Sequence, residues 1–212
     1  MAVVACSIIA CNNDNSKTSE NTDTTHHGNM HGNMPGMDNT AAEGHSMMAL
    51  MQKQMNQMKA MASTGNPDND YAAMMKQHHL GAIEMIQLEL SQGTNAELKA
   101  MAQQMKDEQQ KEIAEFNSFL SGHEAHGGGD AFHKEMMSQM NMPMQMDSSG
   151  SIDQQFASMM IPHHQGAINM SKAYLKTGAH EEKLKTMANK IIADQQKEIE
   201  ALQAWLKKGS NR

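Results

Sequence analysis

The sequence predicts an all-α protein, two antiparallel helical half-bundles behind a disordered N-terminal tail. Three observations lead to that prediction. From residue 44 onward, apolar residues recur every three or four positions, the period of a helix with one buried face, and nothing reads as a strand. A twelve-residue unit occurs twice, as Met74-Met75-Lys76-Gln77-His78-His79-Leu80-Gly81-Ala82-Ile83-Glu84-Met85 and as Met159-Met160-Ile161-Pro162-His163-His164-Gln165-Gly166-Ala167-Ile168-Asn169-Met170, 85 positions apart. A second match, Gln109-Gln110-Lys111-Glu112-Ile113 with Gln195-Gln196-Lys197-Glu198-Ile199, lies 86 positions apart. Each half is therefore helix, turn, helix, with a weaker helix in front.

Taken in order, residues 1–11 resemble a lipoprotein signal, with Ile8-Ile9-Ala10-Cys11 as the cleavage site and Cys11 as the lipidated residue. Residues 12–43 are polar and nearly free of large aliphatics, so they should be disordered. They carry His26, His27, Met30, His31, Met34 and Met37, which have no core to fill and read as a metal-collecting tail.

The first repeat spans 44–121. It opens with a helix from about Gly44 to Ala62, with Met47, Met51, Met55 and Met58 on one face, ended by Ser63-Thr64-Gly65-Asn66-Pro67. Asp68 or Asp70 should cap the next helix, which carries the first motif to about Ser91. Gly93 suits a left-handed helix end. The following helix, about Ala96 to Leu120, places Leu98, Met101, Ala102, Met105, Ile113, Phe116 and Leu120 on its apolar stripe.

Residues 122–151 form a linker with a short amphipathic helix and the run Met140, Met142, Met144 and Met146. Pro143 makes that run an exposed thioether loop rather than a strand. The second repeat, 152–212, repeats the plan: a motif helix from about Ile152 to Lys176, a turn at Thr177-Gly178-Ala179, and a helix from about His180 to Lys207. Pro162 should kink the second motif helix beside His163.

Composition narrows the function. Aromatics are 3% of the chain and there are 25 Met, so aliphatics and thioethers must build the core. The net charge of −7, with scattered Lys and Arg, argues against nucleic acid or an anionic membrane surface as the main partner. No run approaches the roughly 18–20 apolar residues of a membrane span, so membrane association would come only through the lipid anchor. Both cysteines fall within the first eleven residues, leaving the folded part without thiolate or disulfide.

At about 100° per residue, Met74, His78, Gly81 and Met85 share one face, and Met75 and His79 lie on the neighbouring stripe. Met159, His163, Gly166 and Met170, with Met160 and His164 alongside, repeat that arrangement. A glycine inside each helix costs about 1 kcal/mol relative to alanine and suggests a close approach by another group. Adjacent histidines are an expensive way to build a core, because each buried ring needs partners. Glu112 and Glu198 lie beside the apolar stripes and are the expected acceptors that would orient one ring nitrogen and leave the other for a metal. Thioether with imidazole and no thiolate suits Cu(I), and Ag(I) by the same logic; zinc, calcium and magnesium prefer other donors.

The paired histidines with flanking Met pair, Ala-Ile and a last Met resemble the domain-of-unknown-function family 305, here in tandem over residues 44–121 and 130–207. The whole chain is similar to the CopM-type periplasmic copper-binding proteins. The first copy departs from the family pattern at Lys76-Gln77 and Leu80. The resemblance implies a ferritin-like helical bundle that binds Cu(I) and Ag(I) in copper tolerance.

The expected function is thus a non-enzymatic, exported soft-metal protein for sequestration, tolerance or transfer, located in the periplasm or as an outer-membrane lipoprotein. Metal ions are its partners, with a copper exporter or another periplasmic copper protein as the candidate protein partner. Two alternatives stand beside it. A ferritin-like dimetal oxidase would need several inward carboxylates and Glu-x-x-His pairs, which the motif helices lack. A helical partner-binding module with Met-rich faces would use no metal.

Overall fold

A computed structural model of the chain describes residues 46–123, 130–139, 149–177 and 180–209. The expected tail, the lipidation site Cys11, the residues His26, His27, Met30, His31, Met34 and Met37, and the loop with Met140, Met142, Met144 and Met146 lie outside the described residues.

Six helices and no strand occur among the described residues: α1 (Met47–Lys59), α2 (Pro67–Gln92), α3 (Ala96–Gly122), α4 (Ala131–Gln139), α5 (Ile152–Thr177) and α6 (Glu182–Gly209). Within each half, the motif helix packs on the helix that follows it, α2 on α3 and α5 on α6. The halves meet where α2 crosses α5. The crossing is antiparallel: Tyr71 near the start of α2 stacks on Tyr174 near the end of α5, and the helix centres meet at His78 and His163. The fold is therefore all-α with the half-bundle arrangement expected from the repeat.

Local signals differ from the expectation in three places. The α2 cap is Asn66, whose side chain accepts from the backbone N–H groups of Asp68 and Asn69, with Pro67 at the first helical position. Pro67 thus starts α2 rather than stopping α1. Gly93 has φ of −64°, not a left-handed value; its need for glycine is steric, since a Cβ there would lie 2.4 Å from the Glu89 carboxyl oxygen. On α1, Gln54 joins Met47, Met51 and Met58 on the buried face, while Met55 is only partly buried. Helix α5 runs without interruption through Pro162.

Two aspartates tie the halves together reciprocally. Asp153, in the first turn of α5, accepts from Thr94 N–H, Thr94 O–H and Asn95 N–H, and so caps α3 of the other half. Asp68, the same position 85 residues earlier, accepts from His180 and Glu181 N–H at the start of α6. Helix α6 begins at Glu182, directly after these two residues.

Each aspartate has a further buried partner. The Tyr174 hydroxyl donates to Asp68, and the Glu89 carboxyl meets Asp153. Tyr174 and Glu89 are themselves 85 positions apart, so the two ends of the crossing are built to one plan with different donors.

Two apolar clusters flank the crossing. Met74, Met75, Met170, Tyr71, Tyr174 and Phe116 belong to one. Met85, Met159, Met160, Met105, Ile86 and Phe156 belong to the other. Among the described residues no helix is long and apolar enough to cross a membrane.

Candidate metal centre

The antiparallel crossing brings all four motif histidines into one buried row. The His78 and His163 rings face each other with centroids 3.8 Å apart, and His79 and His164 flank them at 6.4 and 6.2 Å from their chain neighbours. None is exposed by more than 2%. The motif methionines sort crosswise: Met74 and Met75 share a cluster with Met170 of the other copy, and Met159 and Met160 share one with Met85. This follows from the antiparallel pairing, which sets the start of one motif against the end of the other.

The hydrogen-bond partners of the rings fix their donor atoms. His79 Nε2 lies 2.8 Å from Glu112 Oε2. Burial raises the Glu112 carboxyl, but hydrogen bonds and charge from His79 and Lys190 outweigh it and hold the group below the ordinary carboxylate value. An ionised carboxylate only accepts, so Nε2 carries a hydrogen, and Nδ1 has no hydrogen-bond partner.

Gln54 of α1 fixes His163 in the same way. Its Nε2 donates to the His78 carbonyl at 3.0 Å, which turns its Oε1 toward His163 Nε2 at 2.8 Å. His163 Nε2 must therefore donate, and its Nδ1 is also left unpartnered. Neither ring nitrogen of His78 makes a well-directed hydrogen bond, although the His163 backbone lies close enough to act on the ring. Burial, and then the other imidazoles, keep His78 and His163 well below the usual imidazole value, so both rings are neutral at pH 7. His164 Nε2 is 3.0 Å from Glu198 Oε2, but the contact lies off the direction a hydrogen bond requires.

The repeat is symmetric in sequence and asymmetric here. Gln54 corresponds to Gln139 at the end of α4, 85 positions on. Gln139 bonds to Glu135 instead of reaching His78. Lys190 bonds Glu112 at 2.9 Å, whereas the position 86 residues earlier is Gln104, which bonds to Glu108 and leaves Glu198 without a cation.

The close approach suggested by the motif glycine is made by Gln54: a Cβ on Gly81 would lie 2.2 Å from its Cδ. Sequence reasoning missed both Gln54 and Lys190. The spacing of Met47, Met51, Gln54 and Met58 places Gln54 on the buried stripe, and a polar residue there was the available signal. Lys190 carried none, since its partner Glu112 lies 78 residues away.

The arrangement offers neutral nitrogen lone pairs and thioethers with no thiolate. Among the described residues no three His, Cys, Asp or Glu side chains come together as a metal-holding group, so the inward carboxylate cluster of a dimetal oxidase is not formed there.

Comparisons with known proteins agree with this fold. No curated protein matches the chain. Solved structures of CopM do. The Ag-bound form is 26% identical with a TM-score of 0.52, over 66% of this chain and 95% of that one. The apo form is 26% identical with a TM-score of 0.52, over 66% and 96%. The Cu(I)-bound form is 25% identical with a TM-score of 0.51, over 66% and 96%. Residues 8–120 and 120–206 each match the family described as Domain of unknown function (DUF305), and the chain belongs to that family, in two copies.

Proposed function

We propose that this protein is a non-enzymatic binder of Cu(I), and of Ag(I) by the same chemistry, that serves copper sequestration, tolerance or transfer. The observation that carries the reading is the row of four buried imidazoles at the helix crossing. Nδ1 of His79 and of His163, and both nitrogens of His78, make no well-directed hydrogen bond. An unsatisfied buried polar atom costs about 1–3 kcal/mol, and a fold that keeps several in one place is poorly explained by packing alone. Neutral imidazole next to thioether is the donor set that soft monovalent copper prefers. Silver-bound and Cu(I)-bound structures of CopM support the same assignment at 26% and 25% identity.

On this reading His78, His79, His163 and His164 are the imidazole donors, and Met74, Met75, Met85, Met159, Met160 and Met170 the thioethers within reach of the crossing. Glu112 orients the His79 ring, and Glu198 lies 3.0 Å from His164 Nε2. The tail residues His26 to Met37 and the loop residues Met140 to Met146 collect or pass on ions. Cys11 anchors the exported protein to a membrane. Thioethers have no proton to lose and form no disulfides, properties that suit an oxidising compartment.

The test is Cu(I) titration of the apo-protein against a chromophoric chelator, for the full chain and for H78L/H163L. More than one equivalent should be withheld from the chelator at sub-micromolar free Cu(I), and the double variant should withhold fewer while its far-ultraviolet dichroism stays helical. Failure of the unaltered protein to compete at all overturns the proposal.

A further inference from the structure

The two outer histidines are enclosed differently. His79 makes an in-line bond to Glu112, and Glu112 in turn binds Lys190, which also pairs with Asp194 at 3.1 Å. Each oxygen of that carboxylate therefore has a partner. Glu198 has no such cation. It forms one wall of an open groove of about 160 Å³ between α3 and α6, lined by Met101, Gln104, Met105, Lys197, Glu198 and Ala201. Met101 and Met105 are one helical turn apart on α3, and so on one face. Behind Glu198 stands His164, fully buried, with no in-line partner at either ring nitrogen. Lys197, the cation of the groove wall, is turned to Asp194 at 3.1 Å.

We propose that this groove is a second soft-metal site, in which the Met101 and Met105 thioethers take a monovalent Cu(I) or Ag(I) ion from solvent beside the Glu198 carboxylate, with His164 as the donor behind it. The site rests on the soft-metal reading of the crossing, shares His164 with it, and adds Met101, Met105 and Glu198 from outside the repeated motif. In sequence Met101 and Met105 read as core; in the structure both pack in the second apolar cluster, with Met105 buried, and both also line the groove. Their counterparts 86 positions on are Met187 and Ile191, so the other half lacks the thioether pair as well as the open carboxylate. A thioether pair beside a carboxylate suits capture: soft sulfur selects the ion, the negative charge attracts it, and the histidine behind offers a further donor.

The experiment uses the full-length apo-protein labelled with 13C at the methionine methyls and titrated with silver nitrate in chloride-free buffer. The Met101 and Met105 resonances are assigned from M101L and M105L, exchanges that nearly conserve volume. Both methyls should shift within the first equivalents, and M101L/M105L should lose one equivalent of Ag(I) in equilibrium dialysis. In that double variant the Met74 and Met159 resonances should still respond to silver. If Met74 and Met159 shift and Met101 and Met105 do not, the groove site is overturned and the crossing stands. If no methionine methyl shifts, both fail together.

Discussion

Replacing Gly81 with alanine should destabilise the protein, although alanine is the better helix former. A Cβ at position 81 would lie 2.2 Å from Cδ and 2.4 Å from Cγ of Gln54. Gln54 has little room to yield, because its amide is held at both ends, by His163 and by the His78 carbonyl. Moving it leaves the His163 ring N–H and the Gln54 amide buried without partners, at about 1–3 kcal/mol each. Alanine returns about 1 kcal/mol of helix propensity. The net is a loss of about 1–5 kcal/mol. In a Q54A background the obstruction is gone and only the propensity gain remains, so G81A should stabilise by up to about 1 kcal/mol. The double-mutant cycle therefore predicts a change of sign and a coupling of about 2 kcal/mol or more. Urea unfolding of the four apo-proteins at pH 7.5 measures it. Equal effects of G81A in both backgrounds would show that Gln54 does not occupy the space above Gly81, and would remove the account of His163 with it.

Three further outcomes follow from the same contacts. D153A removes an acceptor of three hydrogen bonds that caps α3 from the other half, and should cost about 2–4 kcal/mol in urea unfolding. Burial and the neighbouring Asp153 charge push the Glu89 carboxyl up to about 7 from 4.5, so in the folded chain it holds a proton that the unfolded chain has lost. Its contribution to stability is complete below about pH 4.5 and is lost as pH rises through 7, at no more than about 1.4 kcal/mol per pH unit. E89Q keeps a donor toward Asp153 without a charge to form, so its advantage over the unaltered protein should grow from pH 5 to pH 8; an unchanged difference across that range refutes the shared proton. Q104K places an ammonium where Lys190 sits in the other half. It should pair with Glu198, raise stability by at most about 1 kcal/mol, and weaken Ag(I) binding at the α3–α6 groove in equilibrium dialysis.

The helices and their order were legible because the signals are local: Met, Leu and Ile spacing sets the faces, and the 85-residue repeat sets the plan. The candidate ligand positions were legible for the same reason, since His78 with His79 and His163 with His164 stand adjacent in both copies. The register between the copies was not legible. That His78 meets His163, and Met85 shares a cluster with Met159 and Met160, depends on where two antiparallel helices cross, and no residue within either helix reports it. The role of Asp68 was misread as a cap of its own helix, because a carboxylate early in a helix looks the same in sequence whether it serves that helix or another. Gly93 was misread for a similar reason: small size and left-handed freedom both select glycine, and only the Glu89 contact separates them.

The duplication explains the divergence of the two halves as much as their likeness. A symmetric pair of motifs would place equivalent partners on both central rings. Gln54 instead holds one nitrogen of His163, and its counterpart Gln139 turns to Glu135, so neither nitrogen of His78 makes a well-directed hydrogen bond. The outer rings diverge in the opposite sense: His79 in the first motif is fixed by a carboxylate that Lys190 binds, and His164 in the second rests on a carboxylate that faces the groove. Each motif therefore contributes one constrained ring and one unconstrained ring. Sequence symmetry brought the four rings together, and the loss of that symmetry at Gln104, Gln139 and Lys190 gives the two outer rings and the two central rings different partners.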